Sequence, residues 1–291
     1  MPQVVMRFLE IMQDPNFKYD DLVKVLSADA GTVSEVLRLV NSALFGVREK
    51  IVSLRQALTL LGPKRTRSLL LGRYLVGSMA NKSVPGLDMA YFWRRSLASS
   101  VIASRFADIT QARQRDEIFI AALLADIGIP ILAEAMPGRY AAIAERFAPL
   151  GKPFTADEEI EAVEVSHAQV SAMVLKHWTL PDSVTRAVNL HQSSQPGTGD
   201  AVAAARILNS ADRIAKLLCE VGDPQEVSHV CIEAMGFVGI DMAALLKLLP
   251  SIERDIEELA EVLRIDVIPS SVYALIAKTI QEHLSLTAVG L

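Results

Sequence analysis

The 291-residue chain is poor in several things, and each shortage excludes a class of protein. Its two cysteines, Cys219 and Cys231, are too few for a disulfide framework or a four-thiolate zinc site, which reads as a reduced, cytoplasmic protein. With Gly 15 and Pro 13 it is neither collagenous nor low in complexity. No segment reaches the roughly 18 uncharged apolar residues of a membrane span. The most apolar stretch, IFIAALLADIGIPIL, carries Asp126 in its middle. The start, MPQVVMRFLE, lacks the basic opening and apolar core of a signal peptide, so no membrane association is expected. There is no phosphate-cradling glycine loop, no CxxC and no GxSxG elbow.

What is present is apolar and helical. Hydrophobic residues make up 51% and charged residues 22%, enough for a sizeable core and too apolar for a disordered chain. Leu54, Ala57, Leu58 and Leu61 recur at helical spacing behind Ser53, and Gly62-Pro63 ends that run before a second helix toward Met79. Asn81 to Leu87, with Pro85-Gly86, reads as a loop. Met89 to Ala107 is helical, and Ile118 to Leu124 is a buried helix by its alanine and leucine content. Thr155-Ala-Asp-Glu158 is a capping box opening a helix expected to run to about Trp178. Pro181 suits a first turn, QSSQPGTGD a loop, and Ala201 to Glu220 a long helix. No alternating strand pattern and no internal repeat appear. The expectation is an all-α protein: an N-terminal bundle over 1–84, a helical core over 85–220 and a C-terminal helical region over 221–291.

Charge is distributed unevenly. Between Leu44 and Arg115 there are 13 Lys and Arg against 3 Asp and Glu, a net +10, so the rest carries −15 of a total of −5. Lys64, Arg65, Arg67, Arg73, Arg94 and Arg95 belong to this stretch. It reads either as a solvated face or as a surface for a phosphate-bearing ligand, nucleic acid or an acidic partner. Asn41 and Ser42 in NSALFG read as a helix C-terminus, with a partner-facing surface as the alternative.

Two acids and two histidines are candidates for a shared polar site. Asp126 interrupts an apolar run, Asp212 lies mid-helix in ILNSADRIA, His167 lies in EVSHAQVSAMVL and His191 at a helix end in VNLHQSS. A buried carboxylate needs a partner, a hydrogen bond or a metal, and such side chains from separate helices can form an oxygen and nitrogen ligand set. The alternative is local hydrogen bonding, with Asp126 capping a helix.

Five blocks, VLRLVNSALFG, IVSLRQALTLLG, YFWRRSLASSVIASRFA, FIAALLADIGIPIL and EVSHAQVSAMVLKHWTLPDSVTRAVNLHQ, together resemble the HDOD domain in order and spacing, over roughly Met1 to Asp212. HDOD domains are bacterial signalling domains related to the HD and HD-GYP metal-dependent phosphohydrolases. The resemblance implies an HD-like helical fold. HD enzymes use a first His, a His-Asp pair, two later histidines in the HD-GYP branch and a final Asp. Here the pair reads Ala125-Asp126, and the first His falls near Arg95 or Ser96. His167 and His191 are kept, and Asp212 stands for the last acid. An alanine offers a metal no lone pair, and a guanidinium repels one. The expectation is therefore a degenerate site in a non-catalytic signalling module that acts through a protein partner. No cofactor or metal is expected, with one ion on Asp126, His167 and His191 as the alternative. A phosphohydrolase or a nucleotide or nucleic-acid binder are the competing functions.

Overall fold

The protein is described from a computed structural model covering residues 3–12, 14, 16–42, 47, 49–79, 82–112, 115–178, 180–193, 198–220 and 223–288. Fifteen helices and no strand occur among the described residues. The N-terminal set is α1 (Gln3–Ile11), α2 (Tyr19–Leu26), α3 (Ala30–Val40) and α4 (Leu54–Met79). Asp29 caps α3 by accepting from the amides of Gly31 and Thr32. The expected stop at Gly62-Pro63 is present: Gly62 takes non-helical backbone at φ 71°, open to a residue without a Cβ, and α4 is two helices joined across this kink. The expected loop before Leu87 is a turn closed by a bridge between Val84 and Leu87.

The core is built around α5 (Met89–Ile109), started by Asp88 and buried on nearly every side. Phe92, Trp93, Leu97, Val101 and Phe106 are at most 1% exposed, and each such side chain contributes about 1.5–3 kcal/mol by leaving water. Around α5 lie α6 (Arg115–Leu123), α7 (Gly128–Ala135), α8 (Pro137–Ala144), α9 (Ala156–Val163), α10 (His167–His177), α11 (Asp182–Leu190) and α12 (Asp200–Cys219), the last its most extensive neighbour. Glu117–Ala135 is long and apolar enough by composition to cross a membrane, although it carries Glu117, Asp126 and Glu134. It is 83% buried inside the protein and broken by a turn at 124–127.

The single helix expected from Thr155 to Trp178 is two. Glu164, in left-handed backbone at φ 67°, ends α9. A second capping box then starts α10: Ser166 Oγ accepts from the Gln169 amide, and Gln169 Oε1 accepts from the Ser166 amide. His167 consequently opens a helix rather than lying inside one. The C-terminal helices α13 (Pro224–Val238), α14 (Met242–Leu263) and α15 (Ser270–Ala288) pack onto the core. Asp255 of α14, fully buried, pairs with Arg105 of α5. This region is thus part of one packed structure with the core.

Candidate functional site

Asp126 sits in the turn between α6 and α7, 7% exposed, between the buried Leu124 and Ile127. The chain then meets α10 at close quarters. A Cβ on Gly128 would stand 2.2 Å from the His167 carbonyl oxygen, so only glycine permits this approach. The Gly128 amide donates to Ser171 Oγ at 2.8 Å, which fixes the start of α7 against α10. From the other side, Asn209 of α12 donates to the His191 carbonyl at 3.0 Å and holds the end of α11.

These contacts bring three of the four expected polar groups together. His191 Nε2 lies 3.1 Å and His167 Nε2 3.3 Å from the same oxygen, Asp126 Oδ1. His167 Nδ1 lies 2.7 Å from Glu159 Oε2, and His191 Nδ1 2.7 Å from the Val188 carbonyl. Burial opposes the Asp126 charge, but the facing imidazoles of His167 and His191 outweigh it and hold the carboxyl well below the usual range. Burial likewise opposes a charged His167, but Asp126 and Glu159 outweigh it and raise this imidazole to about 9.

Asp212, the fourth group, is held apart from them. Arg95 grips it bidentately, Nε to Oδ1 at 2.8 Å and Nη2 to Oδ2 at 2.7 Å, and the guanidinium also lies 4.4 Å over the Phe147 ring. Ser96, the other position near the first family histidine, is buried and donates to Phe92 within its own helix. Arg95 is therefore the residue that faces the site.

A cavity of about 390 Å³ opens beside these groups. Asp126, His167, Arg95 and Phe147 line it, together with Glu226 and Val230 of α13. The C-terminal region thereby contributes to the site.

Several residues of this site escaped the sequence reading. Glu159 is fully buried, accepts from Tyr140 and bonds both the ring and the amide of His167. Its signal was its position four residues before the buried Val163, on the inward face of α9. Phe147, Asn209 and the pairing of Arg95 with Asp212 depend on contacts far apart in sequence and left no local signal.

The remaining candidates lie elsewhere. Arg65, Arg67, Arg73 and Arg94 are half-buried and do not form an exposed basic face. Arg73 pairs with Glu35 at 2.6 Å, and Arg94 adjoins Cys219. The side chain of Lys64, residues 43–46 of NSALFG and residues 194–197 of the loop after His191 lie outside the described residues. Asn41 spends its side chain inside the fold: Nδ2 donates to the Leu37 and Ile51 carbonyls, and Oδ1 accepts from the Ile51 amide, each at 2.7 Å. Ser42 is buried and donates to the Leu39 carbonyl. Burial pushes the thiols of Cys219 and Cys231 up to about 12, so neither is a ready nucleophile.

Two metal ions do not fit these residues. Ala125 provides no donor, Arg95 stands where the first histidine is expected, and Asp212 is already neutralised. One ion fits: Asp126, His167 and His191 offer donor atoms all within 4.8 Å of one another.

The family model of the HDOD domain matches residues 1–194 and stops short of Asp212. An uncharacterized protein of Treponema pallidum (strain Nichols) is 26% identical over 198 residues, covering 66% of this chain and 38% of that protein. The chain thus spans well under half the length of this relative. A crystal structure of a proposed phosphohydrolase of Shewanella amazonensis SB2B is similar at a TM-score of 0.69, with 20% identity, over 90% of this chain and 94% of the other. An HDOD domain protein of unknown function from Geobacter sulfurreducens reaches a TM-score of 0.64, with 20% identity, over 90% and 92%. At this identity the two structures establish the HD-like all-α fold.

Proposed function

The chain belongs to the HDOD family, and we propose that it is a regulatory member that does not hydrolyse phosphate esters and acts through contact with a protein partner. The observation that carries this reading is the Arg95–Asp212 pair. HD-type hydrolysis needs clustered metals to activate water and polarise the ester, and its last acid must be free to bind metal. Here that acid is tied at two points to a permanent cation with side-chain exposures of 12% and 11%. Freeing Asp212 would strand two buried charges, which costs far more than a surface pair does. Ala125 removes a further ligand.

A nucleic-acid function finds less support, because Arg65, Arg67, Arg73 and Arg94 are half-buried and spread over two helices. The free, poorly acidic thiols agree with a reducing cytoplasm as the working compartment.

The test is hydrolysis of cyclic dinucleotides, nucleoside phosphates and an activated phosphodiester with manganese, iron or zinc added. The expected rate is that of buffer alone. Metal-dependent turnover that disappears in Asp126→Ala would overturn the reading. A pull-down with the full chain should recover a signalling protein.

A further inference from the structure

Asn41 helps to build a second concavity, which shares no lining residue with the cavity beside Asp126. At the end of α3 its side chain donates to the Ile51 carbonyl and accepts from the Ile51 amide, each at 2.7 Å. An asparagine amide can serve as donor and acceptor at once, and here it pins both backbone groups of one residue against the helix. Ile51 is half-buried as a result, while its neighbours Lys50 and Val52 stay exposed, Val52 at 73%. α14 supplies the rest of the lining, and Leu37, Ile51 and Val262 make the groove apolar over a volume of about 600 Å³.

Charge in this groove is divided by element. Arg38 and Lys50 come from α3 and the segment after it. Glu258 and Glu261 both come from α14, three positions apart and so neighbours on the helix surface. Arg38, Lys50 and Glu261 are exposed, and among the described residues no ion pair holds them. Two cations from one part and two acids from another make the groove complementary to itself. In a twofold dimer the same patch serves both copies, so a residue i that meets j is matched by a j that meets i. Rotation about such an axis sets Arg38 and Lys50 of one copy against Glu258 and Glu261 of the other, and the same pairing recurs on the opposite side. A different protein would have to carry this charge pattern separately, whereas a second copy carries it already.

We propose that this groove seats a second copy of the chain in a twofold dimer, with Val52 of each copy covered by the apolar lining of the other. Burial of Val52 supplies apolar contact area. The charges at the edge add little affinity each but fix the orientation and make association salt-dependent. α14 lies beyond residues 1–194, so the acidic half of the surface comes from outside the part matched by the HDOD model. The proposal does not rest on the regulatory reading: a dimer forms whether or not the chain has a signalling partner.

The experiment is sedimentation velocity on the full chain, raised in concentration to about 100 µM, a range that reaches interfaces with few strong contacts. The expected result is a species of twice the 31.7 kDa chain mass, which dissociates as salt rises. Arg38→Glu with Lys50→Glu should weaken self-association by about 100-fold, because four acids then face four. Glu261→Lys should weaken it too, and mixing the two variants should restore a one-to-one dimer. Val52→Asp, at an exposed position where folding is not at stake, should dissociate the dimer on its own. A parent chain that stays monomeric throughout would overturn the proposal and leave the groove to a different protein. A dimer that Val52→Asp and the double variant both leave intact uses another surface and would overturn it equally.

Discussion

Arg95 meets Asp212 through two parallel hydrogen bonds, 2.8 and 2.7 Å long, with both side chains nearly out of water. Burial opposes the guanidinium's charge, and Asp212 outweighs that opposition, so Arg95 binds its proton more tightly than an ordinary arginine. Breaking one half of such a pair leaves the other charge buried alone. Arg95→Ala should cost about 3–5 kcal/mol in chemical denaturation, whereas Arg95→Met with Asp212→Leu should be near neutral. A single variant as stable as the parent would show that water reaches Asp212 freely.

The pH dependence of stability follows from two groups with opposite signs. His167 is raised from 6.5 to about 9 in the fold, so its contribution is full below 6.5 and is lost as pH rises through 9. Asp126 is lowered from 3.8, so its contribution is full above that value and is lost as pH falls further. The metal-free chain should therefore be most stable between about pH 4 and 6.5, with its unfolding midpoint declining from there to pH 9. A midpoint that climbs over the upper window would contradict the placement of His167 between two carboxylates. His167→Gln should flatten the decline.

Gly128→Ala tests how the site is assembled. The added methyl would stand 2.2 Å from the His167 carbonyl oxygen, and it meets backbone, which cannot swing aside. Either α7 and α10 separate or the turn holding Asp126 shifts. The expected loss is about 1–3 kcal/mol, measured by thermal unfolding, together with a change in the His167 ring resonances. A variant with unchanged stability and spectrum would mean that the contact relaxes without moving the histidine.

Much of the fold was legible because it is written locally. Ser53, the Gly62-Pro63 bend, the Thr155 box and Pro181 each mark a helix boundary with residues a few positions apart, and the structure has boundaries there. The break before His167 was equally local, since Ser166 and Gln169 form a capping box of their own, but helical periodicity continued across it and hid the signal. Asp126, His167 and His191 could be named from the sequence because an acid in an apolar run and rare histidines are conspicuous. Their convergence could not, because it depends on Gly128 passing close to α10 and on Asn209 holding the end of α11, contacts set by packing. Arg95 stood out as a charge, but its partner lies 117 residues away, and only the packing of α5 on α12 joins them.

The basic stretch provides the last test. Sequence alone places Arg65 and Arg67 near a helix start, where exchanging both for glutamate should leave stability unchanged or raise it slightly. The structure reverses that expectation. Arg67 is half-buried, its Nε atom is out of water without a hydrogen-bond partner, burial lowers its proton affinity, and the charge of Glu117 on α6 opposes that lowering. Arg67→Glu would set a carboxylate in that buried position against Glu117 and should lose about 1–3 kcal/mol in urea denaturation. Arg67→Met keeps the buried stem while removing the charge that burial penalises, so it should lose less than about 1 kcal/mol. Equal losses in both variants would assign the role of Arg67 to its charge and make the Glu117 interaction dominant over burial. Retained stability in Arg67→Glu would place the side chain in solvent and return the arginine to the class of surface charges available to a partner.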